Sequence, residues 1–213
     1  MIRIMIILSV LFITTDCNAG DVFYGYDAFY KTLPNRIFSE PSSPLPSRDT
    51  LGNMHDDETS DWIIADKNIV KINGQKFKLT KAIPHLNQPI TARDVGRNPE
   101  LYTQERYYCI LGHNPTSSGT AWRYNSVYLI DRKTKKIFKF PGLFSSCLSL
   151  GKDENQHITF FEAKIVNYRA AYDADGVELQ EYVLKGKKVS KTSKIIRAKF
   201  INSNRFFDFM IEK

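Results

Sequence analysis

The loop 112–120 carries the side chains that come nearest to a catalytic arrangement. It is bounded by glycines, is rich in small polar residues, and holds His113 close to Ser117 and Ser118. A nucleophilic serine needs a base within hydrogen-bonding reach, and His113 is the nearest base in the sequence. The serines do not lie in a nucleophile-elbow sequence. The composition is therefore more typical of a plain loop or a protein-binding tip than of a hydrolase site.

Two further segments contain residue types that bind metal ions. Residues 55–58 read His-Asp-Asp-Glu, but adjacent side chains point in different directions, whereas ligands must converge on the metal at about 2.0–2.5 Å. The run Asp173-x-Asp175-Gly176 resembles the start of a calcium loop, but no bidentate glutamate follows it at the right offset. The sequence therefore predicts no metal and no cofactor, and it favours binding over catalysis.

The first nineteen residues have the pattern of a cleavable signal peptide. Arg3 supplies a positive charge, residues 4–13 are largely apolar, and Cys17 and Ala19 are small residues at a cleavage site. About ten apolar residues are too few to cross a hydrocarbon core of about 30 Å, so we expect no membrane span after cleavage. An acylated Cys17 is the alternative. The mature chain has no usable glycosylation sequon, which favours a bacterial source and a periplasmic or secreted protein.

Cleavage after Ala19 leaves two cysteines, Cys109 and Cys147. Paired thiols in an oxidising compartment are expected to join, and this disulfide would close a loop of about 39 residues worth roughly 4 kcal/mol in the chain-entropy model. Two separate buried thiols, each behaving as a small hydrophobic residue, are the alternative.

Short strands and tight turns dominate the chain from residue 61 onward. The sequence predicts hairpins with turns at Asn73-Gly74, 131–135, 173–176 and 185–188. Asn73-Gly74 is the strongest of these signals, because both residues tolerate the positive φ that a tight hairpin turn needs. Before them, aromatic residues at helical spacing predict a short helix that ends before Pro34. We therefore expect a mainly β fold, an antiparallel sandwich or a curved sheet or barrel built of hairpins, with a short N-terminal helix.

Prolines interrupt this pattern in two places. Three of them in residues 39–52 indicate an extended, Pro/Ser-rich linker or surface loop. Three more in residues 83–104 indicate connecting structure, with at most a short helix at 91–95 or 99–104. The predicted organisation is thus a signal peptide at 1–19, an aromatic segment and linker at 20–60, and a β-rich domain with one disulfide at 61–213.

A net charge of +7 favours acidic partners. We expect an acidic protein or an anionic envelope surface, and export argues against nucleic acid. The candidate contact residues are aromatic, arginine and histidine side chains near the 112–120 loop together with basic residues in two turns: His113, Trp122, Arg123, Tyr124, Arg132, Lys133, Lys136, Lys187 and Lys188. The alternative is that the lysines are ordinary solvated turn residues and that Trp122 and Tyr124 belong to the core.

These observations favour an exported, non-enzymatic protein-binding domain. Its favoured form is an inhibitor or immunity-type protein that blocks a secreted or periplasmic toxin or hydrolase. An envelope hydrolase that uses the 112–120 loop and a secreted adhesin or virulence-associated factor are the alternatives.

Overall fold

The computed structural model describes residues 21–42, 62–66, 69–84, 97–113, 123–166, 174–203 and 205–212. The predicted signal peptide and most of the Pro/Ser-rich stretch lie outside these residues. Within them, fourteen strands, numbered in chain order, form three sheets.

Two large sheets make up most of the structure. The six-stranded sheet is antiparallel throughout and contains, in spatial order, β1 (Val22–Tyr24), β14 (Asp208–Ile211), β13 (Lys188–Phe200), β12 (Gly176–Lys185), β11 (Ile158–Val166) and β10 (Gly151–Lys152). The five-stranded sheet contains β5 (Ile83–Pro84), β9 (Ile137–Phe140), β8 (Asn125–Asp131), β7 (Tyr107–His113) and β6 (Arg97–Thr103). Its strands are antiparallel except where β5 pairs with β9.

The third sheet is small and antiparallel. It contains β2 (Trp62–Asp66), β3 (Ile69–Ile72) and β4 (Gln75–Lys78), in that order, so β4 lies at its edge. A single turn of 3₁₀ helix at Leu79–Lys81 then leads the chain towards β5.

The five-stranded sheet is buried on both faces. In β7, Cys109 and Leu111 belong to a large core that includes residues of the six-stranded sheet. Tyr108 and Ile110 point the other way, into a second core shared with β3 and β4. A strand that is covered on both sides must be apolar at every position, which explains the continuous apolar sequence of β7 and of the neighbouring part of β8.

The mainly β, antiparallel fold with a curled, half-barrel sheet confirms the predicted fold class. The short N-terminal helix is also confirmed: α1 spans Tyr26–Tyr30 and buries Tyr26, Phe29 and Tyr30 in the large core. Strand β1 pairs with β14, so residues close to both ends of the described chain contribute to the same sheet.

The predicted helix at 99–104 is wrong, because β6 extends through residue 103. Leu101 lies in the second core and Tyr102 in the large core, and neighbours that face opposite cores require the two-residue period of a strand. Pro99 is accommodated because β6 is an edge strand whose register shifts between Arg97 and Glu100; edges and bulges are where a sheet tolerates proline. The other predicted helix, at 91–95, lies outside the described residues.

The predicted disulfide is confirmed. It joins Cys109 of β7 to Cys147, which lies in a 3₁₀ turn at Cys147–Ser149, and neither residue is accessible to solvent. Nearby, Tyr30 Oη donates a hydrogen bond to the carbonyl of Phe144 at 3.0 Å. The segment that follows β9 is therefore linked to the five-stranded sheet by the disulfide and to α1 by the hydrogen bond.

Candidate functional site

A cleft of about 650 Å³ opens where three hairpin segments meet. We call it the lysine cleft, because six lysines line it: Lys76, Lys78, Lys81, Lys135, Lys136 and Lys187. The remaining lining consists of Gln75 and three apolar side chains, those of Phe77, Ile83 and Ile137.

The β3–β4 hairpin forms the first wall of the cleft. Asn73 and Gly74 have φ values of 47° and 75°, the pattern of a two-residue type I′ turn whose twist suits a hairpin. Phe77 is buried in the second core, whereas Lys76 and Lys78 are exposed. Burial of the phenylalanine thus fixes the strand, and it leaves the adjacent lysines exposed along the cleft.

The turn between β8 and β9 forms the second wall, and Asp131 organises it. Its carboxylate accepts hydrogen bonds from the backbone N–H groups of Lys133 and Thr134, at 2.9 and 3.0 Å, and from Arg106 Nη2 at 3.1 Å. Burial alone raises the pKa of this carboxyl, but the hydrogen bonds from Thr134, Arg106 and Lys133 outweigh burial and hold the pKa below its ordinary value. An ionised Asp131 therefore fixes the turn that presents Lys135 and Lys136.

One hydrogen bond joins these two walls. Lys135 Nζ donates to Gln75 Oε1 at 2.6 Å, and the same ammonium lies 5.8 Å from the centroid of the Phe77 ring. The second contact is within the range of a cation–π interaction. The position of Lys135 in the cleft is consequently set by β4.

The β12–β13 hairpin supplies the last lysine. Lys185 pairs with Lys188 across a two-residue turn, and Gly186 at its first central position has a φ of 65°, as a type II′ turn requires. Lys187 is the second central residue, is exposed, and lines the cleft. Three segments far apart in the sequence thus place cations around one cavity.

The described lining of the cleft is strongly electropositive. Among the described residues, no carboxylate lines it and no ion pair includes any of its six lysines. By contrast, Lys194 lies outside the cleft and forms an ion pair with Glu181, with 3.5 Å between Nζ and Oε1. Cations gathered in a concave surface attract anions more strongly than the same cations spread over a flat one. The described lining of the cleft is therefore complementary in charge to an anion.

The structure brings two of the sequence-predicted contact residues, Lys136 and Lys187, into this cleft. Lys133 and Lys188 are exposed in the same turns but do not line it. Arg132 has a local structural role: its Nη1 donates to the carbonyls of Gln104 and Glu105, at 3.3 and 3.0 Å.

His113, Arg123 and Tyr124 do not line the lysine cleft. His113 Nδ1 is 3.0 Å from Asn125 Oδ1. The guanidinium of Arg123 lies 3.3 Å from the centroid of the Phe206 ring, and burial lowers its pKa. Tyr124 is 49% exposed. Trp122, like the serines of the 112–120 loop, lies outside the described residues.

The sequence did not indicate that β4 and its neighbours contribute to the site. The alternation of Lys76, Phe77 and Lys78 predicts a half-solvated strand, and the strand is there. The signal that could have drawn attention to it is the number of lysines at 76–81. Nothing local, however, indicates that this strand lies beside the β8–β9 turn.

Comparison of the chain with protein-family models, with curated proteins and with solved structures finds no match in any of the three. In the described part of the chain, no helix combines the length and apolar character needed to span a membrane. The same residues contain no group of three or more side chains suited to holding a metal ion.

Proposed function

We propose that the protein is an exported, non-enzymatic binding protein that docks an acidic protein partner in the lysine cleft. The observation that carries this proposal is the convergence of six lysines on one cavity, with no carboxylate among the described residues that line it. The clustered lysines repel one another in the free protein, and an acidic partner would offset this repulsion on binding.

The composition of the cleft favours a protein over a purely charged polymer. Its surface is more apolar than polar, because Phe77, Ile83, Ile137 and the lysine stems contribute to it. Protein interfaces combine an apolar centre with a polar rim. A partner that offers both carboxylates and apolar side chains therefore matches this surface better than a chain of phosphates or sulfates.

Affinity capture with matched variants tests the proposal. The bait is the oxidised mature chain, applied to envelope and culture fractions of the source cells. The cleft variant reverses three lining charges with Lys76→Glu, Lys136→Glu and Lys187→Glu. The control variant, Lys133→Glu with Lys188→Glu and Lys199→Glu, makes the same charge change at exposed lysines that neither line the cleft nor pair across a strand with a lysine that does.

We expect wild type and control to recover the same acidic protein, and the cleft variant to lose it. The recovered complex should dissociate as salt increases, since screening weakens exposed charge pairs. A partner whose toxic or hydrolytic activity falls on binding would identify the inhibitor form of this function. Equal recovery by all three baits, or equal loss from the two variants, would overturn docking at the cleft.

A further inference from the structure

The edge of β4 that faces away from β3 lies along the lysine cleft, and no described strand pairs with it. Gln75 and Phe77 alternate with Lys76 and Lys78 along this strand, so the two pairs of side chains point to opposite faces of the sheet. All four nevertheless line the cavity. A cavity bordered by side chains from both faces of an edge strand must run alongside the edge itself.

The hairpin geometry determines which backbone groups point into this space. Ile72 and Gln75 flank the two-residue turn and form a hydrogen-bonded pair, so the next pair along the hairpin, Lys71 and Lys76, is not hydrogen-bonded. The N–H and C=O of Lys76 therefore point away from β3, as does the N–H of Lys78. Outside the hairpin, no described backbone group is hydrogen-bonded to these groups.

We propose that the acidic partner inserts an extended segment that adds to the edge of β4 as a further strand. This inference rests on the proposed function, because it names the form in which the acidic partner enters the lysine cleft. Backbone hydrogen bonds supply affinity in this mode of recognition, and alternate side chains supply specificity.

The two faces of β4 specify the side chains of the added strand. Residues on the face of Phe77 meet an apolar wall that also contains Ile137, whereas residues on the opposite face lie beside Lys76 and Lys78. The segment should therefore alternate apolar and acidic residues. A segment that matches the four residues of β4 would extend over about 13 Å at ~3.3 Å per residue.

Lys76 and Lys78 also disfavour pairing of this edge with a second copy of the chain. An unprotected edge strand can pair with an identical edge of another molecule, and lysine is a common means of preventing this. Here Lys76 and Lys78 repel a second copy of the same basic edge, while they attract a strand of opposite charge. The same two lysines would thus oppose self-association and favour an acidic ligand.

A synthetic peptide provides a defined probe. We would use an end-blocked hexapeptide of alternating glutamate and valine, labelled for fluorescence anisotropy, with a block peptide of three glutamates followed by three valines as control. The two have the same composition and charge, but only the first matches the two faces of an added strand. We expect the alternating peptide to bind about tenfold more tightly than the block peptide.

Two substitutions at one position separate the backbone contribution from the charge. Lys76→Gln removes the charge and keeps the N–H, whereas Lys76→Pro removes both and blocks strand addition. Proline is tolerated where the N–H points away from the sheet, and the thermal unfolding of both variants would be compared with wild type. We expect Lys76→Pro to bind the alternating peptide about tenfold more weakly than Lys76→Gln.

A third measurement avoids mutation of the protein altogether. Methylation of alternate backbone nitrogens of the peptide in one register should abolish binding, and methylation in the other register should leave it intact. Equal binding of both methylated peptides, equal affinity of the two Lys76 variants, or equal affinity of the alternating and block peptides would overturn strand addition. Charge-dependent capture of the partner is measured separately, so docking at the cleft survives such a result or fails independently of it.

Discussion

Lys135 Nζ donates a hydrogen bond to Gln75 Oε1 over 2.6 Å, although the two residues are 60 positions apart in the chain. The bond links the β8–β9 turn to β4 and holds one ammonium inside the lysine cleft. Lys135 itself has a φ of 58°, a backbone conformation uncommon for residues other than glycine. This backbone conformation directs the Lys135 side chain towards Gln75 of β4.

Gln75 offers a direct way to change the charge of the cleft. Gln75→Glu would place a carboxylate opposite Lys135 and should weaken binding of the alternating acidic peptide about three- to tenfold, while Gln75→Ala removes the hydrogen bond without adding charge. Gln75 is exposed, so the unfolding free energy of each variant should stay within about 0.5 kcal/mol of wild type. Anisotropy titrations and urea denaturation measure the two quantities. Equal peptide affinity of the two variants would contradict an electrostatic role for the cleft.

Asp131 should make the stability of the β8–β9 turn depend on pH. Its pKa in the folded protein is held below the ordinary value, so it stabilises the fold above the unfolded-state pKa of about 3.9, and this contribution is lost as the pH falls through the folded pKa. Asp131→Asn should lower the unfolding free energy by about 1–3 kcal/mol at pH 7. The difference from wild type should shrink near pH 3.

Urea denaturation of wild type and Asp131→Asn at several pH values between 3 and 7 measures this effect. Lys133→Ala is a suitable control, because only the backbone N–H of Lys133 contacts Asp131 and that group survives the substitution. A constant difference between wild type and Asp131→Asn across the whole pH range would show that ionisation of Asp131 does not stabilise the turn.

Features encoded locally were predictable from the sequence, and features that depend on distant contacts were not. Asn73-Gly74 and Gly186 specify their turns through the φ values that they adopt, and the disulfide follows from two cysteines that remain after the predicted cleavage. Strand β6 was missed because Pro99 indicates a break unless the strand is known to lie at an edge. The lysine cleft was missed because its three hairpins meet only in the folded chain.

The disulfide should contribute substantially to stability. Replacement of Cys109 and Cys147 by alanine should lower the unfolding free energy by about 2–4 kcal/mol, since the cross-link restricts the unfolded chain. Both residues are fully buried, so loss of packing adds to this effect. Guanidinium denaturation of the double variant and of oxidised wild type measures the difference. A difference below about 1 kcal/mol would mean that the surrounding core alone fixes this segment.

Two tyrosines of α1 provide a matched pair for testing the value of a buried hydroxyl. Tyr30 Oη donates to the carbonyl of Phe144, whereas Tyr26 Oη is buried and has no hydrogen-bond partner among the described residues. Tyr30→Phe removes a satisfied hydrogen bond and leaves a buried carbonyl without that donor, so it should cost about 1–2 kcal/mol. Tyr26→Phe removes a buried hydroxyl that has no partner among the described residues, so it should be neutral or stabilising.

Thermal and urea denaturation of Tyr26→Phe and Tyr30→Phe, compared with wild type, measure both effects in the same helix. The rings themselves are retained, including the stacking of Tyr26 on Phe144 with centroids 4.2 Å apart, so the difference between the variants reports on the hydroxyl groups. A larger loss of stability for Tyr26→Phe than for Tyr30→Phe would reverse this assignment. It would indicate that the Tyr26 hydroxyl is hydrogen-bonded in solution by a group outside the described residues.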